Sequence, residues 1–226
     1  TKMYELAFDT TSSCCSVALF KDEQCLSTFV QEMDFGQAET LMPAIADLLK
    51  AQNLTFKDLG LISVCTGPGS FTGVRSSISA ARAFGLACPH LEVMGVTAFE
   101  AYIRGLVWTP EEIAPVNAVI IETKREDFYY QLFDAHLHPL TEPSAALKED
   151  IVAQLRGTKV TFIGDGVERF LNVKTGLSLH AILDCGHVDI KDLALCGLER
   201  YRQKRHNYPK PLYLRAPDVC VKSKAV

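Results

Sequence analysis

A glycine-rich turn between a buried strand and a helix is the first feature that could bind a ligand. The apolar run 61–65 predicts the strand, Gly67-Pro68-Gly69-Ser70 forms the turn, and a helical pattern begins at Phe71. This order presents backbone N–H groups and the positive end of a helix to an anion. Gly67 and Gly69 allow close approach of a ligand or of another backbone segment. No Gly-Lys-Ser/Thr follows, so the turn is not a P-loop, and a purely structural role is equally open.

A polar turn near the N-terminus is the second candidate. A strand ends at Asp9, and Thr10-Thr11-Ser12-Ser13 follows before a return strand begins at Cys14. An acid beside hydroxyl groups at the end of a strand could belong to a phosphate site, or its side chain could simply cap the turn. The turn has no glycine for close approach of a phosphate and no lysine to neutralise one, which favours weak nucleotide binding.

The other polar residues predict neither a metal site nor a catalytic nucleophile. The six histidines include no H-x-x-x-H pair, and His136 with His138 offers fewer ligands than the three or four that zinc usually takes. No serine lies in a G-x-S-x-G motif, and Ser70 stands where the cap of a helix is expected. We therefore expect no metal, no catalytic residue and no peptidase activity.

Composition narrows the class of protein. The 226 residues are 48% hydrophobic and 22% charged, and the net charge of −4 argues against a protein that binds nucleic acid alone. No apolar run approaches the ~20 residues that span a bilayer. The eight cysteines include no C-x-x-C pair. We expect reduced, buried thiols in a cytoplasmic protein.

The two halves of the chain repeat one order of elements. A strand that ends at an acid, a polar turn and a return strand occupy residues 6–20 and again 119–133. A third strand follows in each half, over 24–31 and around Pro139-Leu140, and then an amphipathic helix, a buried strand and a glycine turn. The repeat predicts two α/β domains, residues 1–105 and 106–226, each a mixed sheet flanked by helices. The last helix is predicted from Asp189 to about Gln203, with a C-terminal tail that could return to the first domain.

The helix after the first glycine turn is rich in small residues on all sides. One face must pack on its own sheet, and the small outward residues would let a second helix approach closely. The amphipathic helix from Glu39 to Lys50 would lie beside it. This pair of helices therefore predicts a helix–helix interface with a partner. The small residues are Ser76, Ser77, Ser79, Ala80, Ala81, Ala83, Gly85 and Ala87.

Several segments together resemble the TsaB (YeaZ) family, which belongs to the actin/Hsp70-like ATPase superfamily. TGPGSFTGVR at 66–75, following LAFDT at 6–10, is specific to that family, and the resemblance runs along nearly the whole chain. Two positions depart from the family pattern: Gln37-Ala38 replaces a common histidine, and Glu122-Thr123-Lys124 replaces Asp-Ala-Arg. The remaining matching segments are LAFDTTSSCCSVAL, ETLMPAIADLL, VMGVTAFEA, GDG at 164–166 and PLYLR at 211–215.

The resemblance implies two actin-like (ribonuclease H-like) domains and a role in making threonylcarbamoyladenosine, a modified adenosine next to the tRNA anticodon. It implies a non-catalytic scaffold that pairs through its first two helices with TsaD, the paralogue that binds the metal and transfers the threonylcarbamoyl group. The implied partners are a TsaD-type subunit, a TsaE-type ATPase, a second copy when the protein is alone, and tRNA only through the complex. No cofactor is implied, with ATP bound weakly or only in the complex.

The sequence also leaves other functions open. Alternatives from other classes are an ATP-binding or peptidase-like enzyme of the same superfamily, and a homodimeric interaction protein outside tRNA chemistry. A basic cluster at the end of the last helix is either a solvated helix end or a tRNA contact; it comprises Arg200, Arg202, Lys204, Arg205, His206 and Lys210.

Two sets of site residues are predicted. The predicted partner-binding residues are Glu39, Leu41, Met42, Ile45, Phe71, Thr72, Val74, Ser76, Ala80, Ala83 and Ala87. The predicted nucleotide-binding residues are Asp9, Thr10, Thr11, Gly67 and Gly69.

Overall fold

Two five-stranded sheets form the framework of the computed structural model, which describes residues 2–184 and 186–215. The first sheet contains β1 (Tyr4–Ser12), β2 (Cys14–Lys21), β3 (Gln24–Glu32), β4 (Leu59–Cys65) and β5 (Glu92–Val96). The second contains β6 (Val116–Glu122), β7 (Asp127–Phe133), β8 (Ser144–Leu147), β9 (Lys159–Gly164) and β10 (Ser178–Asp184). The predicted α/β class with two mixed sheets is confirmed.

Both sheets have the same topology. Their orders are β3-β2-β1-β4-β5 and, read from the opposite edge, β8-β7-β6-β9-β10. In each, the first three strands of the half are antiparallel, and the first, fourth and fifth are parallel. The repeat inferred from the sequence is therefore a repeat of strand order and direction.

In the described part of the chain, six α-helices connect or cover the strands. They are α1 (Gln37–Ala51), α2 (Phe71–Ala87), α3 (Ala98–Arg104), α4 (Lys148–Leu155), α5 (Val167–Leu171) and α6 (Ile190–Arg202), with 3₁₀ turns at Phe56–Asp58, Gly105–Trp108 and Pro110–Glu112. Side-chain caps set the starts of α2 and α3, as the sequence predicts: Ser70 Oγ accepts from Gly73 N–H at 3.0 Å, and Thr97 with Glu100 forms a capping box. Within the described residues, no helix is long and apolar enough to cross a membrane.

At the centre of the molecule, one helix from each half packs against the sheet of the other half. Helices α1 and α2 cover the outer face of the first sheet, and α4 and α5 cover that of the second. Between the sheets, α6 from the second half packs on β1 and β4, whereas α3 from the first half packs on β6 and β9. The division of the chain at residues 105 and 106 stays a prediction, because α6 lies against the sheet of the other half.

The third strand of the second half begins later than predicted. The prediction around Pro139-Leu140 was wrong, because Pro139 forms only an isolated bridge to Phe133 and β8 begins at Ser144. The Asp134 carboxylate accepts hydrogen bonds from the backbone N–H groups of His136 and His138, at 2.8 and 2.9 Å. These bonds hold the chain in a turn. After it, the pairing is limited to the bridge at Pro139 and a hydrogen bond from Leu140 N–H to the carbonyl oxygen of Leu132, at 2.8 Å, before β8 begins.

The cysteines of the described ranges are free thiols. Cys14, Cys15 and Cys65 are buried, and Cys25, Cys88 and Cys196 are half-buried. Cys185 and Cys220 lie outside the described residues, as does the end of the C-terminal tail.

Candidate functional site

A cleft of about 470 Å³ lies between the two sheets, where the carboxyl ends of β1, β6 and β9 meet. Three acids from these strand ends line it: Asp9 on β1, Glu122 at the end of β6 and Asp165 just after β9. Asp9 and Glu122 occupy equivalent positions in the repeated halves. The fold therefore brings together two acids that are far apart in the sequence and related by the repeat.

The carboxylate of Asp9 accepts hydrogen bonds from its own turn. Its Oδ1 accepts from Thr11 N–H at 2.8 Å and from Thr11 Oγ1 at 2.6 Å. Burial raises the pKa of Asp9, and the hydrogen bonds from Thr11 offset part of that rise. The carboxyl group thus caps the turn while still lining the cleft.

The two acids of the second sheet differ in their protonation. Asp165 Oδ1 accepts from Glu122 N–H at 2.9 Å, and burial raises the pKa of Asp165 to about 7, with smaller contributions from the charges of Glu122 and Asp9. Burial also acts to raise the pKa of Glu122, but two hydrogen bonds from Arg169, at 2.7 and 2.6 Å, help to lower it overall. At neutral pH Glu122 is a paired anion, whereas Asp165 titrates.

Gly69 in the first glycine turn and Gly73 in the first turn of α2 allow two backbone segments to touch. A Cβ atom at Gly69 would lie 2.2 Å from the carbonyl oxygen of Thr11, and one at Gly73 would lie 2.0 Å from that of Thr10. Ser70 N–H donates to the same Thr11 oxygen at 2.8 Å. The N–H groups of Ser70 and Gly73 are therefore already used within the protein, which supports the structural role of this turn.

The second glycine turn packs in the same way. A Cβ atom at Gly164 would lie 2.1 Å from the carbonyl oxygen of Ile120, and one at Gly166 would lie 2.9 Å from the carbonyl carbon of Ile121. In both halves, the turn after the fourth strand thus closes onto the end of the first strand. This packing places Asp165 at the wall of the cleft.

The predicted nucleotide-binding residues separate into two groups. Asp9, Thr11 and Gly69 line the cleft. Thr10 is fully buried: its N–H donates to Ser77 Oγ at 2.9 Å, and its hydroxyl donates to the carbonyl oxygen of Gly73 at 2.7 Å. Gly67 is also buried, and its carbonyl oxygen accepts from Ala98 N–H at 2.8 Å. Thr10 and Gly67 are therefore packing residues beneath the cleft.

The charge of the cleft opposes a polyphosphate. Among its lining residues, Asp9, Asp34, Glu39, Glu122 and Asp165 are acids, and Lys124 is the single base. In the part of the chain that the structure describes, no three histidine, cysteine, aspartate or glutamate residues are grouped to hold a metal ion. A phosphate here would face five acidic side chains and one lysine, so the lining offers it little positive charge even though Arg169 pairs with Glu122 and the pKa values of Asp9 and Asp165 are raised.

The predicted partner-binding residues fall on two sides of their helices. Leu41, Ile45 and Val74 are buried in the core, so they support the helices and cannot contact a partner. Ser76 and Ala80 are half-buried, and Ser76 lines the cleft together with the exposed Glu39 and Thr72. The exposed members of the predicted set are Glu39, Met42, Phe71, Thr72, Ala83 and Ala87.

Sequence reasoning missed several residues of the cleft. Asp165, Lys124 and the exposed Phe35 were not among the predicted site residues, although all three line the cleft. The GDG turn offered a signal for Asp165, because it occupies the place in the second half that the first glycine turn occupies in the first. Arg169, which pairs with Glu122 from α5, had no local signal.

Comparison with known proteins agrees with this architecture. The chain is 28% identical over 220 residues to "tRNA threonylcarbamoyladenosine biosynthesis protein TsaB" of Escherichia coli K12, covering 93% of this chain and 94% of the relative. The solved structure of YeaZ from Pseudomonas aeruginosa has a TM-score of 0.77 at 21% identity, covering 94% of this chain and 100% of that one. A Bacteroides thetaiotaomicron protein with an actin-like ATPase fold has a TM-score of 0.50 at 11% identity, covering 85% of this chain and 95% of that one, and bears on the fold alone.

A family model gives the assignment. The model described as "TsaD: tRNA N6-adenosine threonylcarbamoyltransferase" matches residues 36–155, just over half of the chain. That range begins at the start of α1 and ends with α4, so it includes the glycine turn, α2 and the hairpin that carries Glu122. The chain therefore belongs to the TsaD family, and its resemblance to the TsaB (YeaZ) proteins of tRNA threonylcarbamoyladenosine biosynthesis is confirmed.

Proposed function

We propose that this chain is a non-catalytic subunit of the machinery that makes threonylcarbamoyladenosine in tRNA. It binds a TsaD-type catalytic subunit through the outward faces of α1 and α2. In this proposal it works in the cytoplasm with a TsaE-type ATPase, meets tRNA through the complex, and pairs with a second copy when alone. The names of its relatives support the pathway, and the residues of the two helices support the role.

The observation that carries the proposal is the exposed apolar character of these helices. Met42 on α1 is 46% exposed, and Leu86 on α2 is 81% exposed. The exposed Ala83 and Ala87 lie near Leu86 on α2, so a facing helix could approach closely. Surfaces that combine exposed large apolar side chains with small ones fit a protein partner.

The geometry of α2 separates its core side from its partner side. Val74, Ile78 and Ala81 face the sheet, and at 100° per residue Thr72, Ser79, Ala83 and Leu86 lie on the opposite side. Helix α1 touches α2 on the same outer face of the sheet. Two adjacent helices thus offer one surface to a helical partner.

The cleft supports the non-catalytic part of the proposal. Asp9 is engaged with Thr11, Glu122 is paired with Arg169, and Asp165 accepts a hydrogen bond from Glu122 N–H, so each of the three carboxyl groups already has a partner within the protein. The helix N-terminus beside the cleft is capped by Ser70. ATP accordingly binds this chain weakly, or only when a partner completes the site.

The test is a reconstituted modification reaction. Purified TsaC-, TsaD- and TsaE-type proteins from the same organism are incubated with unmodified tRNA, threonine, bicarbonate and ATP, with and without this chain. We expect threonylcarbamoyladenosine, measured by mass spectrometry of tRNA nucleosides, only when the chain is present. Co-purification with the TsaD-type protein provides the binding readout. Full modification without the chain, or failure to pair with the TsaD-type protein, would contradict the proposal.

A further inference from the structure

The C-terminal segment lies along one side of α2. The carbonyl oxygen of Pro209 accepts two hydrogen bonds from Arg82, at 3.1 and 2.7 Å, and Tyr213 stacks on Phe71 with ring centroids 5.4 Å apart. The segment therefore runs antiparallel to the helix. From Phe71 to Arg82 the helix rises about 16 Å, and a nearly extended segment from Tyr208 to Tyr213 spans a similar length.

This arrangement creates a strip of alternating aromatic and basic side chains. The guanidinium carbon of Arg75 lies 5.1 Å from the centre of the Phe71 ring, and that of Arg82 lies 5.4 Å from the centre of the Tyr208 ring. Tyr208 and Tyr213 are about half exposed, and Lys210 between them is exposed. We call this surface the basic–aromatic strip; its members are Phe71, Arg75, Arg82, Tyr208, Lys210 and Tyr213.

The positive charge of the strip is not neutralised by nearby acids. Within the described residues, Arg75, Arg82 and Lys210 form no ion pair, and Arg82 bonds only to a backbone carbonyl. By contrast, two arginines of the neighbouring basic cluster are paired, Arg200 with Glu100 and Arg202 with Glu23. The net charge of −4 therefore coexists with a locally basic surface.

We propose that the basic–aromatic strip binds single-stranded RNA. Unpaired bases stack on the rings at the two ends of the strip, and phosphates contact Arg75 and Lys210 between them, because flat rings and spaced cations suit exposed bases on a charged backbone. The proposal rests on the proposed function, which supplies a tRNA whose anticodon loop holds unpaired bases. Ala83 and Thr72 lie on the adjoining outward side of α2, so RNA and a protein partner would bind side by side.

The first experiment measures how much the basic side chains of the strip contribute to RNA binding. Fluorescence anisotropy follows a labelled single-stranded RNA of about twelve nucleotides, titrated with the full-length chain over a series of salt concentrations from about 50 mM. The variant Arg75→Glu/Lys210→Glu should bind roughly tenfold more weakly or worse, with a shallower salt dependence. The control Lys159→Glu/Lys174→Glu makes the same change in net charge at exposed positions of the second half and should keep at least half of the wild-type affinity.

The second experiment measures how much the aromatic side chains of the strip contribute to RNA binding. Tyr208→Ala/Tyr213→Ala should weaken binding of the single-stranded probe by roughly fivefold or more and leave the weak binding of a duplex probe unchanged. Circular dichroism checks that each variant is folded, and the exposed Arg75→Glu/Lys210→Glu pair provides the answer should the aromatic pair unfold. The inference is overturned by a wild type that does not bind the probe, by equal loss in the control, or by a preference for an acidic peptide over RNA.

A pull-down with the TsaD-type protein separates this inference from the proposed function. Arg75→Glu/Lys210→Glu should still pair with that protein but recruit less tRNA to the complex. A chain that pairs and supports modification without any dependence on the strip would refute the inference alone. A chain whose strip binds RNA but which neither pairs nor supports modification would refute the proposed function alone.

Discussion

The hydroxyl group of Ser63 on β4 donates a 2.5 Å hydrogen bond to Oε1 of Glu5 on the neighbouring strand β1. Both side chains are buried beneath α6, and Oε2 of Glu5 has no hydrogen-bond partner among the described residues. Burial raises the pKa of Glu5 to about 8, although the bond from Ser63 and the charge of Arg202 act in the opposite direction. At neutral pH this carboxyl group is therefore mainly protonated.

Glu5→Gln should make the stability of the protein less dependent on pH. Because the folded pKa lies above the unfolded value of 4.5, the stabilising effect of protonated Glu5 is complete below about pH 4.5. It is lost as the pH rises through 8. The variant should be more stable than the wild type above pH 8 by an amount on the order of a few kcal/mol. Urea unfolding at several pH values provides the measurement.

The exposed Glu168 provides the matched control for that prediction. Glu168→Gln should leave the slope of stability against pH unchanged. If Glu5→Gln and the wild type lose stability in parallel between pH 5 and 9, Glu5 is not the buried acid that causes the loss. Asp9 and Asp165, whose pKa values are also raised, would then account for it.

Gly197→Ala should displace α6 from the first sheet. A Cβ atom at Gly197 would lie 1.7 Å from Ser63 Oγ and 2.6 Å from Ser63 Cβ, so the helix or the strand must shift. We expect a destabilisation of about 2 kcal/mol or more, measured as a lower urea midpoint. Gly105→Ala is the control, because its Cβ atom would meet its nearest neighbours at 3.6 Å.

A second substitution tests the cause of that destabilisation. Ser63→Gly removes the two nearest atoms that the new methyl group would meet and leaves Glu5 Oε1, at 3.3 Å, as its remaining close neighbour. The double variant Ser63→Gly/Gly197→Ala should lose less stability than the sum of the two single variants, because they share one contact. Strict additivity would mean that the close approach of residues 63 and 197 does not limit the packing of α6.

Local chemistry made part of this fold predictable. Ser70 and Thr97 precede helices with the side chains that cap them, and capping depends on neighbours within three residues. The glycines of the first turn indicated that another group packs closely against its backbone. The sequence could not show whether that group is a ligand or the backbone of Thr11. The answer depends on how β1 and α2 meet, which is a contact between distant parts of the chain.

Other features of the fold depend on which faces of the helices and sheets pack together. The spacing that identified α1 as amphipathic also places Leu41 and Ile45 on its buried side, yet both were predicted to bind a partner. The packing of α6 on the first sheet was equally hidden, because sequence proximity favours packing within the same half. Gly197 permits that contact, and nothing in the surrounding sequence singles it out.

ATP with magnesium should bind the isolated chain more weakly than a dissociation constant of about 1 μM, which corresponds to about −8 kcal/mol. The acids that line the cleft outnumber its one base, Lys124, and repel the triphosphate. Isothermal titration calorimetry provides the measurement. Asp165→Asn should tighten binding if this repulsion is the cause, and a wild-type constant near 1 μM or below would show that the cleft is a nucleotide site in its own right.

Ala83→Arg should prevent pairing with the TsaD-type protein while leaving the chain folded. Ala83 is exposed on α2, so the new side chain meets solvent in the isolated protein. In the complex, the guanidinium group would hold the facing helix away and bury a charge without a counter-ion, which costs about 3–5 kcal/mol of association. The affinity should fall by roughly 10²–10³-fold or more.

Ala153→Arg is the matched control, because residue 153 is an exposed alanine on α4, on the outer face of the second sheet. Circular dichroism should give the wild-type spectrum for both variants. Pull-down and nucleoside mass spectrometry should show lost pairing and lost threonylcarbamoyladenosine for Ala83→Arg alone. A folded Ala83→Arg protein that pairs and supports modification at the normal rate would exclude the outward face of α2 as the interface. Loss in both variants would instead indicate that added positive charge, rather than its position on α2, disrupts the complex.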